Sequence, residues 1–171
     1  AKYELFLEEV EAIQQEQMAI LRRLIKDHGL RYIYLEGLTD DNRDRFLASI
    51  DLMRAFKRNP PAGEDGIELF LLDEHRHQTL MVGAAGRLLL AGDPIEVLAV
   101  EDAKVYTAAN PVVDGVMQLD LAKQAAREAA MVKRIGNDGY GLAVLVCGAA
   151  HQLSEEFAVR SVQIECVRCK S

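Results

Sequence analysis

Apolar and polar positions along the chain alternate between two periods, about 3.6 and 2, as helices and strands do. Tyr3 to His28 reads as one long amphipathic helix, with Tyr3, Phe6, Val10, Ile13, Gln17, Leu21, Leu24 and His28 on one face. Glu4, Glu8, Glu11, Glu16, Arg22 and Lys26 fall on the other face, acid first and base last, which suits the helix dipole. Gly29 closes it. Arg31–Leu35 is short and rich in β formers, and predicts a strand that delivers Glu36 and Gly37 at its end. Thr39 or Asp40 then caps a helix over Asp41 to Lys57. Asn59–Gly66 is a turn-rich surface loop. Ile67 to Leu90 predicts a helix or helix pair, in which Gly83-Ala-Ala-Gly86 lacks the pattern of a phosphate loop and suits close helix packing instead. Ile95–Val100 predicts a second strand, ending at Glu101-Asp102 and followed by a short helix to about Ala109. Asn110-Pro111 and Asp114-Gly115 mark turns. Gln118 to Ile135 predicts a helix stopped by Gly136-Asn137, with Leu121, Ala125, Ala129, Val132 and Ile135 on its apolar face. Leu142–Cys147 reads as a buried strand that stops at Gly148, with His151 three residues on, at the start of a short helix from Gln152 to Ala158. Arg160–Arg168 alternates polar and apolar residues, as a strand with one wet face does.

Strands alternating with helices favour an α/β fold with a mostly parallel or mixed central sheet and flanking helices. The expectation is one domain over residues 1–171, a length that supports a real core. No internal repeat or low-complexity tract is visible. The net charge is −7 with no basic run, which argues against bulk binding to nucleic acid or an anionic membrane. No apolar stretch approaches the roughly 20 residues of a transmembrane helix. Trp is absent and aromatics make up only 6%, a poor basis for a stacking surface. No signal peptide is evident, and a chain that starts at Ala1 leaves cytoplasmic and exported locations both open.

Three cysteines do not make a disulfide framework. Cys147 reads as a small core residue. Cys166-Val-Arg-Cys169 is a lone C-x-x-C without a second pair. His75-x-His77 has the look of a metal pair, but residues two apart do not share a helix face. Glu128 falls in the middle of the apolar face of the 118–135 helix, with Arg127 at its margin. A carboxylate there needs a partner, so the two either line a polar pocket or sit at the rim as surface charges.

Ligands of open α/β sheets bind past the carboxyl ends of the strands. Three such ends present Glu36, Glu101 and His151. Two carboxylates and an imidazole suit a divalent ion such as Mn, Co or Zn. Without metal the same trio could work as general acid and base, with Arg127 as a fixed positive charge for an oxyanion or a substrate carboxylate.

The order of these residues resembles the superfamily of TraB/PrgY, the TIKI proteins, the erythromycin esterases and the ChaN-like haem-binding lipoproteins. That group is marked by two G-x-x-H motifs, paired glutamates and an arginine on an α/β fold (EreA/ChaN-like). Gly148-Ala-Ala-His151 matches the second G-x-x-H, and Arg127-Glu-Ala-Ala-Met131 is similar to the arginine motif. Tyr34-Leu-Glu36-Gly37 is similar to the first glutamate motif, and Glu101 is a looser match to the second. The likeness runs from about Ile13 to Phe157. The family's first G-x-x-H would precede the long helix, so this chain is either cut upstream or lacks that histidine. The resemblance implies a hydrolase of an ester or amide bond in a small molecule or peptide. Glu36, Glu101 and His151 would serve as ligands or bases and Arg127 as oxyanion stabiliser. It also implies two alternatives. One is a haem or iron carrier without turnover, with Tyr32, Tyr34, Tyr106 or His75 as axial ligand. The other is a degenerate regulatory member.

Overall fold

A computed structural model describes residues 2–113, 115–148, 151, 153–160 and 163–169. Its elements are α1 (Lys2–His28), β1 (Tyr32–Thr39), α2 (Asp40–Arg58), α3 (Gly66–Met81), α4 (Gly83–Ala91), β2 (Glu96–Glu101), α5 (Ala103–Ala108), β3 (Val112–Val113), β4 (Val116–Met117), α6 (Leu121–Asp138), β5 (Ala143–Val146) and α7 (Ser154–Val159). The fold is mixed α/β: it has seven helices and a small parallel three-stranded sheet of order β2-β1-β5 among the described residues, and β3 and β4 form a separate hairpin. The chain divides into two compact units. One is built from Ala1–Arg31, Asp44–Val97 and Cys169–Ser171, the other from Tyr32–Arg43 and Leu98–Arg168. The turn-rich loop at 59–66 therefore lies inside a unit.

The first unit is helical. The buried positions of α1 are Leu7, Gln14 and Leu21, a stripe at seven-residue spacing rotated from the predicted one. Tyr3 and Phe6 are exposed. The buried polar residue is thus Gln14 rather than Gln17. Its amide donates to the Leu80 carbonyl at 2.7 Å and its oxygen accepts from Arg87 at 3.1 Å, so neither end is left unpaired. The small-residue run works as a packing device. Ala84, Ala85 and Gly86 are buried in α4, and a Cβ on Gly86 would lie 2.5 Å from the Val82 Cβ. Val82 packs with Ile50 and Met53, and Phe46, Leu89 and Leu90 close the cluster.

In the second unit, Tyr34, Val100 and Met131 form one buried cluster and Val132, Leu153 and Phe157 another. Tyr34 donates its hydroxyl to Asp138 at 2.6 Å, and Tyr32 stacks on Tyr140. α6 starts at an Asp120 cap and ends on Gly139 in the left-handed conformation. It is shifted by three residues from its predicted span, because Asp120 accepts from the Ala122 and Lys123 amides. Leu121 and Ala125 are exposed rather than core.

Two further expectations are corrected. β1 does not stop at Leu35 but runs to Thr39, so Glu36 lies within a strand. Among the described residues, 163–169 adopt no regular structure. The side chains at 163–168 are exposed, so their alternation has no core face to bury; Ser161 and Val162 of the expected strand lie outside the described residues.

Candidate functional site

Strand register creates the site. β1 and β5 are parallel, with Leu35 opposite Val146. The next residue of β1, Glu36, therefore comes level with the chain leaving β5, and its Oε2 accepts from the Gly148 amide at 2.6 Å. β5 ends at Val146 while β1 continues, and Gly148 meets β1 beyond Leu35. On the other side of β1, Glu101 ends β2 and its Oε1 accepts from the Gly37 amide at 3.2 Å. Helix α6 supplies the rest. Gln124, Arg127 and Glu128 share one face at i, i+3 and i+4, continuous with the buried Met131 and Val132 one turn on.

The structure brings Glu36, Glu101, Arg127 and His151 together, all within the second unit. Arg127 lies between the two carboxylates. Its Nε donates to both oxygens of Glu101 at 3.1 Å and its Nη2 to Glu36 Oε1 at 3.0 Å. The Glu101 side chain is only 1% exposed, a burial that is tolerable only with a fixed counter-ion. Tyr106 covers the guanidinium, with its ring centroid 4.9 Å from Cζ. Burial opposes the charge on Arg127, but Glu101 and Glu36 outweigh it and hold the guanidinium more firmly protonated than usual.

His151 is held from both sides. Nε2 is 2.9 Å from Glu36 Oε1 and Nδ1 is 2.9 Å from Glu128 Oε1. Burial alone would lower its pKa. The hydrogen bonds to Glu36 and Glu128 reverse that, and the net shift is upward. Burial likewise works against an ionised Glu36, and the contacts to His151, Gly148 and Arg127 turn the net shift downward. The two groups are thus pushed apart, Glu36 toward carboxylate and His151 toward imidazolium. Glu36 keeps 28% of its side chain exposed, against 6% for His151.

Gln124 carries no motif in the sequence, and Gly37 and Gly148, read there as strand ends, act as backbone donors to the two carboxylates. The Gln124 amide donates to Glu128 at 3.3 Å and lies 3.1 Å from His151 Nδ1. Its place one turn before Arg127 and Glu128 was the available signal. Glu128 proves to line a polar cluster rather than a rim. Cys147 packs partly buried beside the site, where burial first and Glu36 next push its thiol up to about 11.

The donors do not fit a metal site as arranged. Glu36 and Glu101 meet through the Arg127 guanidinium rather than around a common point. Among the described residues no group of three or more His, Cys, Asp or Glu side chains is placed to hold an ion. His75 and His77 diverge within the first unit, His75 stacking on Phe56 and His77 on Tyr3. Of the tyrosines weighed for haem, Tyr34 is fully buried and bonded to Asp138. Among the described residues no helix is long and apolar enough to cross a membrane. Comparison with protein-family models, curated proteins and solved structures finds no match to this chain.

Proposed function

We propose that the second unit is a hydrolase of ester or amide bonds that works by carboxylate and imidazole rather than through a metal. The observation that carries this reading is the 2.9 Å contact between Glu36 and His151, two groups whose environments push their pKa values in opposite directions. Such a pair divides naturally into base and acid. The Glu36 carboxylate takes a proton from a water as that water's oxygen bonds to the acyl carbon. His151, as imidazolium, gives its proton to the leaving oxygen or nitrogen as the acyl bond breaks. The proton on Glu36 then passes to His151 Nε2 across their contact, which restores the starting state. Arg127, held by Glu101, offers its remaining N–H groups to the oxyanion. Glu128 accepts from Nδ1 and keeps the ring oriented, and Gln124 donates to Glu128 in turn. The Cys147 thiol, protonated up to about pH 11, is a poor competitor as nucleophile.

The TraB/TIKI/erythromycin esterase/ChaN resemblance, which rests on the order Glu36, Glu101, Arg127, Gly148-x-x-His151, and an EreA/ChaN-like fold are part of the same proposal. The haem-carrier alternative has less behind it, since the Tyr34 hydroxyl is already committed to Asp138. The test is a panel of p-nitrophenyl esters and short peptides with the wild type, Glu36→Gln and His151→Ala. Turnover in the wild type should fall at least about 100-fold in each variant, with circular dichroism unchanged. Full activity in either folded variant contradicts the assignment. No hydrolysis across the panel moves the reading to a binding or regulatory protein, and a Soret band on hemin titration then marks the carrier.

A further inference from the structure

The first unit holds a cleft of about 400 Å³, within the size range of small-molecule sites. Its lining is part apolar, from Met18, Met53, Leu80 and Leu90, with Met53 and Leu80 buried. The rest is mostly polar or cationic. Lys57, Arg76 and Arg87 line it beside a single acid, Glu11. Arg87 is partly committed to Gln14 and Glu11, and Arg76 reaches Glu4 at 3.3 Å. Among the described residues Lys57 makes no ion pair. His75 also lines the cleft, stacked on Phe56, where burial first and Lys57 next hold its pKa below the usual value. With Arg76 paired to Glu4 and Arg87 to Glu11, Lys57 is left among the described residues as surplus positive charge at the cleft, in a chain of net charge −7.

We infer that this cleft binds a small amphipathic carboxylate, its apolar chain over Met18, Met53, Leu80 and Leu90 and its charged head at Lys57. Charge complementarity selects the anion, and the apolar lining selects an apolar body. The inference does not rest on the hydrolase reading, because every residue it uses lies in the other unit.

The probe is decanoate, with decanol as the uncharged match in length, titrated calorimetrically into the full chain. The expected result is saturable one-to-one binding of decanoate, at least tenfold tighter than decanol. Lys57→Glu, an exposed change, should weaken decanoate at least tenfold and leave decanol within twofold. Met18→Asp should weaken both, and His151→Ala neither. Equal binding of decanoate and decanol, no saturable binding of decanoate, or decanoate binding untouched by Lys57→Glu overturns the inference.

Discussion

Glu36 and His151 lie 115 residues apart in sequence, yet Glu36 Oε1 and His151 Nε2 are 2.9 Å apart in the fold. Strand pairing accounts for that closeness. The β1–β5 register sets Glu36 beside Gly148, and His151 follows three residues later. The pair therefore depends on the sheet, and its charge state feeds back on the stability of the fold.

That coupling gives stability a definite pH dependence. Folding raises the pKa of His151 from 6.5, so its contribution is complete below about 6.5 and is lost as pH rises through the folded value. Folding lowers the pKa of Glu36 from 4.5, so its contribution is complete above about 4.5 and is lost as pH falls through the folded value. Urea midpoints should therefore be highest between these two ordinary values. His151→Ala should remove much of the alkaline decline. An unchanged alkaline decline in that variant contradicts the linkage.

The Arg127–Glu101 pair should behave as a buried ion pair. Arg127→Met leaves Glu101 buried without its main counter-ion and should cost about 3–5 kcal/mol. The double variant Arg127→Met/Glu101→Met should recover much of that loss. Urea denaturation of the two variants checks this, and a double variant less stable than Arg127→Met contradicts it.

Two helical glycines should respond in opposite directions. A Cβ on Gly86 meets the Val82 side chain at 2.5 and 2.8 Å and Ile50 at 3.3 Å, so Gly86→Ala should destabilise by about 1–3 kcal/mol. Gly136, in α6, has nothing within 4 Å of its added Cβ. Gly136→Ala should therefore stabilise by about 0.5–1 kcal/mol through helix propensity. Thermal melts of the two variants should move apart, and a matching loss in both would contradict the packing account.

With its thiol raised to about 11, Cys147 exposes only about 0.1% thiolate at pH 8. Maleimide labelling followed by mass spectrometry should find the exposed Cys166 modified first and Cys147 last. Early labelling of Cys147 would contradict its protected setting.

Much of this organisation was legible in the sequence, for particular reasons. The long α1, the capped α2 and the strand before Gly148 stand out because periodicity and terminator residues agree there. The four residues Glu36, Glu101, Arg127 and His151 could be drawn together because three of them follow or end apolar strand runs. What sequence could not settle depends on partners. Which stripe of α1 is buried turned on Gln14 finding Arg87 and the Leu80 carbonyl. Whether β1 ended at Leu35 turned on what lies beside Glu36. Arg160–Arg168 has strand alternation, but alternation signals a strand only where one face has a core to meet. The role of Arg127 was the least visible: an arginine at the margin of a helix face gives no hint that it will fill the space between two glutamates expected to share an ion.

The most direct test of the account is the protonation state of His151, read by ¹⁵N NMR of histidine-labelled protein across a pH titration, with His151→Ala to assign the signal. Both ring nitrogens should carry protons at pH 6.5, with a midpoint above that value. Glu36→Gln should move the midpoint down. A ring already singly protonated at pH 6.5, or a midpoint indifferent to Glu36→Gln, would contradict the acid–base pair on which the proposed chemistry stands.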